Sequence, residues 1–158
     1  MDLFTRIAIM DQLQVLLDAF VASVLGGLIG WERDRAGKSA GPRTMALVAT
    51  AASMVVSIGV IVDRNAALGD PTRAMHAVIT GIGFLGAGLI FNGKASGVQG
   101  VTTAATVFAT AAVGSAVGLG FQLSAVGITV LLLAILRSTH MLEAAAIKLH
   151  LTENEQND

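Results

Sequence analysis

Five stretches of this chain are each long and apolar enough to cross a bilayer, and that leaves few folds open to it. A helix needs about 20 mostly apolar residues to traverse the hydrocarbon, and inside lipid every backbone polar group must be satisfied within the segment. The stretches are Leu13–Trp31, Thr44–Val62, Thr72–Phe91, Val101–Gly118 and Phe121–Leu136. The third opens with Asp70-Pro71, a helix-start pair. Only Gly118, Leu119 and Gly120 part the last two, which predicts a tight helical hairpin.

The sequence therefore predicts an all-α polytopic membrane bundle of five transmembrane helices. One domain is expected over residues 1–151, and the segment 152–158, TENEQND, reads as a disordered tail. Met1–Met10 reads as a short interfacial segment, and the first span is too long and too acidic for a cleaved signal peptide.

Composition agrees. Of 158 residues 54% are hydrophobic and 13% charged, about half the charge of an ordinary soluble domain. That excludes a soluble enzyme domain, a disordered chain and a nucleic-acid binder. The net charge of −1 implies no polyanionic partner, and with Cys 0 there is no disulfide, thiolate nucleophile or cysteine-held metal. Arg33, Arg35, Lys38, Arg43, Lys94, Arg137 and Lys148 share one side, against Arg6, Arg64 and Arg73 on the other. The excess places the C-terminus in the cytoplasm and the N-terminus outside.

Membrane helices hold together through small-residue packing and interhelical hydrogen bonds. The first span carries Asp18, Ala22, Gly26 and Gly30 at four-residue spacing; the fourth carries Thr102, Thr106, Thr110, Gly114 and Gly118. The third has Gly81, Gly83, Gly86 and Gly88. These three spans are expected to form the tight centre, with the second and fifth facing lipid. The same ladders would suit a homo-oligomer. Gly81, Gly83 and Gly86 also spell G-x-G-x-x-G, but inside an apolar span with no acidic residue between Asp70 and Glu143, so the dinucleotide reading fails.

The charged first loop is the candidate functional region: Glu32, Arg33, Asp34, Arg35, Lys38, Arg43 and Thr44, bracketed by Gly30, Gly37 and Gly41. Asp34 and Lys38 have the i,i+4 spacing of a helical ion pair. Such a network would latch the loop to the bundle or offer oxygens to a hard cation. Asp18 is an acidic group at membrane depth, expected to bond threonines of the fourth span or an arginine. Asp18, Glu32 and Asn92 are the candidate metal ligands, magnesium the candidate ion, and His76 a candidate pH sensor. No nucleophile–base set and no H-E-x-x-H pattern points to an enzyme.

Three blocks, GLIGWERDRAGKSAGPRTMALV, GIGFLGAGLIF and GVTTAATVFATAAVGSAVGLG, resemble the MgtC/SapB family of membrane proteins in order and spacing over Gly26–Gly120. Phe108 stands where the family pattern often has Trp. The chain is similar to short, membrane-only members without a C-terminal soluble domain. The resemblance implies a bacterial inner-membrane protein tied to magnesium homeostasis, virulence and survival inside host cells. It further implies a regulator acting on the proton-translocating ATP synthase. The expected mechanism is lateral binding of another membrane protein. The alternatives are binding or transport of magnesium or another cation, and a structural homodimer.

Overall fold

The computed structural model describes residues 9–66, 70–91 and 99–155. Asn92, Lys94 and Arg6 lie outside them, and of Lys148 only the backbone is described. Five helices follow one another: α1 (Ile9–Arg35), α2 (Pro42–Ala66), α3 (Pro71–Phe91), α4 (Val101–Gly118) and α5 (Gln122–Glu155). There is no strand among the described residues. The first four helices are long and apolar enough to cross a membrane; the apolar part of α5, Gln122–Ser138, is shorter. The backbone of α5 stays helical past residue 151, to Glu155.

Both sharp turns are built the same way. At the end of α1, Gly37 is left-handed at φ 64. Its N–H donates to Asp34 O (2.9 Å), and the N–H of Lys38 donates to Arg33 O (3.0 Å). At the end of α4, Gly120 is left-handed at φ 88. Its N–H donates to Val117 O and that of Phe121 to Ala116 O, both at 2.9 Å. These crossed bonds satisfy the last carbonyls of each helix, and glycine takes the left-handed position without a Cβ clash. The α4–α5 turn is the hairpin the sequence predicts.

The centre is a three-helix seam. A Cβ on Gly26 would lie 2.5 Å from Met45 O and 2.8 Å from Ala49 Cβ; one on Gly30 would lie 2.6 Å from Pro42 Cα. On the other side of α2, a Cβ on Gly114 would strike Ala49 O, and one on Gly118 would lie 2.5 Å from Ser53 O. The pairings Met45–Thr110, Ala49–Gly114 and Ser53–Gly118 advance together. Thus α2 and α4 run parallel while α1 runs antiparallel to both. Ala49 is fully buried between the two glycine ladders.

The expected centre differs in one member. It is α2, not α3, that joins α1 and α4, and Met45, Ala49, Ala52, Ser53, Val56 and Ser57 are all buried along it. Helix α3 is peripheral: Ile82 is its one buried residue among those described. Gly81, Gly83 and Gly88 have nothing within 4 Å of where a Cβ would sit, and Gly86 has only Ala104 Cβ at 3.8 Å. The physical reason is topological. Consecutive α1 and α2 are tied by a short loop, so α2 fills the space between the ladders and α3 is left outside.

Helix α3 starts on a side-chain cap. Asp70 Oδ1 accepts hydrogen bonds from the N–H groups of Thr72 (3.0 Å) and Arg73 (3.3 Å) and from the Thr72 hydroxyl (2.5 Å). With Pro71 in the first helical position, this is the start the sequence announces. The Thr72 hydroxyl first, then the Arg73 amide, hold the Asp70 carboxyl below its ordinary value.

Two outcomes follow from this packing. Gly114→Ala should lower the unfolding free energy of the purified chain in detergent by about 1–3 kcal/mol, because the new methyl meets backbone that cannot yield. Gly81→Ala, which meets nothing, should be neutral or gain up to about 1 kcal/mol of helix propensity; equal unfolding midpoints would refute the seam. Because the folded-state pKa of Asp70 is depressed, the cap is at full strength above the unfolded pKa and is lost as pH falls through the folded value. Amide exchange at Thr72 and Arg73 should therefore show protection that fades at acid pH, and Asp70→Asn should make it independent of pH.

Candidate functional site

The charged loop splits into an inward and an outward half. Glu32 and Arg33 are buried, with 9% and 3% of their surface exposed, while Asp34, Arg35, Lys38, Arg43 and Thr44 are exposed. Glu32 and Arg33 sit on the last turn of α1 facing the bundle, on the same side as Gly26, Ile29 and Gly30. The loop folds over them, with Gly41 and Pro42 stacked on Gly30.

Arg33 is the clamp. Its guanidinium donates to Thr103 Oγ1 at 3.0 Å, reaching from α1 to the first turn of α4. Ser39 in the loop donates to the same oxygen at 3.4 Å. One hydroxyl thus gathers the end of α1, the α1–α2 loop and the start of α4. Beside Ser39, Ala40 holds a left-handed conformation at φ 62, costing roughly 1 kcal/mol in a residue with a Cβ. Glu32 Oε2 and Arg33 Nε are buried without a hydrogen-bond partner.

The Asp34–Lys38 pair does not form. Among the described residues the ion pairs are Asp11–Arg64 at 3.9 Å and Asp70–Arg73 at 3.5 Å. Helix α1 ends at Arg35 and Gly37 turns the chain, so the i,i+4 geometry is gone before Lys38. Arg35 instead lies over the Trp31 ring, 5.8 Å from its centroid.

Asp18 belongs to a second polar layer, near the other end of the bundle. It is 4% exposed. Ser57 Oγ lies 2.8 Å from its Oδ2 and 3.3 Å from Gly118 O; the single hydroxyl proton serves the nearer carboxylate. Gln122 Nε2 donates to Oδ1 at 3.2 Å. The partners are therefore α2 and the start of α5, not the threonines of α4 or an arginine. Helix α4 ends at Gly118, and its Thr106 and Thr110 hydroxyls donate to their own helix at Thr102 O and Thr106 O.

Asp18 and Glu32 stand about 21 Å apart along α1 at the helical rise, so they cannot share one ion. Among the described residues no three His, Cys, Asp or Glu side chains gather into a metal cluster. Asn92, the third candidate ligand, lies outside those residues. His76 is exposed near the start of α3, and its backbone carbonyl accepts from Thr80. The charges were legible in the sequence; the roles of Thr103, Ser57 and Gln122 were not, since isolated hydroxyls and amides carry no pattern.

Thr103→Val should cost about 1–3 kcal/mol, because it strands a buried guanidinium without its acceptor. Thr103→Ser should recover most of that. Chemical unfolding in detergent reads both, and indistinguishable Val and Ser variants would mean that Thr103 does not hold Arg33.

With this geometry in hand, the relatives fall into place. The MgtC family model matches residues 20–145. Protein MgtC of Brucella abortus is 42% identical over 114 residues, covering 72% of this chain and 46% of that protein. Protein SrpB of Synechococcus elongatus is 38% identical over 128 residues, covering 74% of this chain and 70% of that protein. Protein MgtC of Salmonella typhimurium is 37% identical over 118 residues, 75% of this chain and 49% of that protein. The chain thus spans about half the length of the MgtC proteins it matches. No solved structure matches it. The matched region takes in the glycine seam and the Arg33 clamp and begins two residues after Asp18, and the chain belongs to the MgtC family.

Proposed function

We propose that this multi-pass membrane protein of the MgtC family is a non-enzymatic regulator of the bacterial inner membrane that binds another membrane protein side by side. Family membership supports a role in magnesium homeostasis and in survival inside host cells. The resemblance favours the proton-translocating ATP synthase as partner.

The observation that carries the binding mode is the open face of α3. The ladders of α1 and α4 are used up against α2, whereas Gly81 and Gly88 of α3, seven residues apart on one helical face, meet nothing. Phe84 stands between them 81% exposed. In lipid, a small-residue face next to a protruding ring is a surface on which another helix can pack closely. The excess of cations at the Arg33 end favours a cytoplasmic position for that end.

A second reading, cation binding or transport, draws support from Asp18. Its carboxylate lies within a span and has only the neutral donors Ser57 and Gln122. Such a group is a functional candidate in a membrane.

In native membrane vesicles, Gly81→Leu and Gly88→Leu are expected to abolish the protein's effect on ATP synthase activity. The unfolding midpoint of the isolated chain should stay put. Both variants regulating like the parent would remove α3 as the docking face. Magnesium uptake into liposomes holding the purified chain, lost on Asp18→Asn, would replace the regulator reading with transport.

A further inference from the structure

We propose that the groove between α1 and α5 at the Arg33 end holds one phospholipid whose head group carries both a phosphate and a primary amine. Arg35 and Arg137 take the phosphate, and Glu32 takes the amine. The groove has a volume of about 540 Å³ and is lined by Leu28, Trp31 and Leu133 together with those three charged residues. It lies on helices other than α3 and does not depend on what α3 binds.

The two arginines are exposed, and neither has an ion-pair partner among the described residues. Arg35 is steered rather than free: its guanidinium sits over the Trp31 ring at the groove wall, a contact that favours a cation. Arginine suits a phosphate because its fork of N–H groups matches two phosphate oxygens at once.

Glu32 supplies the second, independent observation. It is nine-tenths buried, lines the same groove, and leaves Oε2 without a donor. A buried carboxylate oxygen with no hydrogen bond is costly. A primary ammonium brings three N–H donors and a positive charge; a choline head group brings the charge without a donor. Two cations and one carboxylate along a single groove therefore match a phosphate followed by an amine.

The occupant comes from the bilayer, not from solution. Leu28 and Leu133 give the groove apolar walls that suit acyl chains, and Leu28 and Trp31 remain 43% and 57% exposed beside it. Trp31 stands in the last two turns of α1, the part of a spanning helix where an amphipathic ring suits head groups.

The test uses the full chain, purified in mild detergent and supplied in turn with phosphatidylethanolamine, phosphatidylglycerol, phosphatidylcholine and water-soluble phosphoethanolamine. Native mass spectrometry and the shift in unfolding midpoint are the readouts. Phosphatidylethanolamine should be retained most strongly. The double variant Arg35→Gln, Arg137→Gln changes only exposed side chains and should weaken its retention about tenfold or more, the scale of lost charged hydrogen bonds. Glu32→Gln should erase the preference for ethanolamine over glycerol head groups while phosphate-dependent retention persists. Equal retention of all three lipids would overturn the proposal. So would a double variant that retains lipid like the parent, a head-group preference that survives Glu32→Gln, or protection by phosphoethanolamine equal to that by the lipid.

Discussion

Everything in this molecule hangs on α2 being clasped by backbone on both sides. In a bilayer the hydrophobic effect does not drive one helix against another, since a lipid tail is as apolar as a leucine. What remains is dispersion, which needs close approach, and close approach needs surfaces with no side chain in the way. Gly26 and Gly30 provide that surface on α1, Gly114 and Gly118 on α4, and Ala49 is the one small side chain between them. Because two ladders converge on one helix, moving α2 would open both contacts together.

The seam also fixes where polar groups end up. With α1, α2 and α4 in register, Asp18 arrives beside Ser57 and the carbonyl of Gly118, and Arg33 arrives beside Thr103. The seam is thus closed by a polar layer toward each end. Each layer crosses between helices that are distant in sequence, so each resists sliding along the seam in a way that glycine packing alone does not. Buried charges are costly in lipid, and here they gain hydrogen bonds only when the helices are correctly registered. They act on specificity of arrangement more than on its strength.

How much of this could be read from the sequence follows the same physics. The ladders of α1 and α4 were legible because a four-residue repeat of small residues is a pattern in its own right. The part played by α2 was not, since Met45, Ala49, Ser53 and Val56 look like ordinary lipid-facing residues until two ladders close on them. The glycines of α3 misled in the opposite sense: they show that a close approach is possible, not that one is made within the chain. The charged loop was visible, but which of its charges turn inward depends on the helical phase of Glu32 and Arg33 relative to Gly26 and Gly30. The Asp34–Lys38 spacing lost its meaning at Gly37, where the helix stops. The helix count, the hairpin at Gly120 and the start at Asp70-Pro71 needed only local chemistry, and local chemistry is what a sequence displays.

The division between used and unused surface then bears on function. A bundle whose two strongest packing faces are consumed internally still offers its neighbours, among the described residues, the Gly81–Phe84–Gly88 face of α3 and the basic groove beside α5. One is suited to a helix and the other to a head group, because the first is apolar and nearly featureless while the second combines charge with apolar walls. Among the described residues, Asp18 and Glu32 lie in separate layers of α1. Opening the seam would break both ladders and both polar layers at once. A molecule built in this way presents surfaces within the membrane whose positions are fixed by the seam.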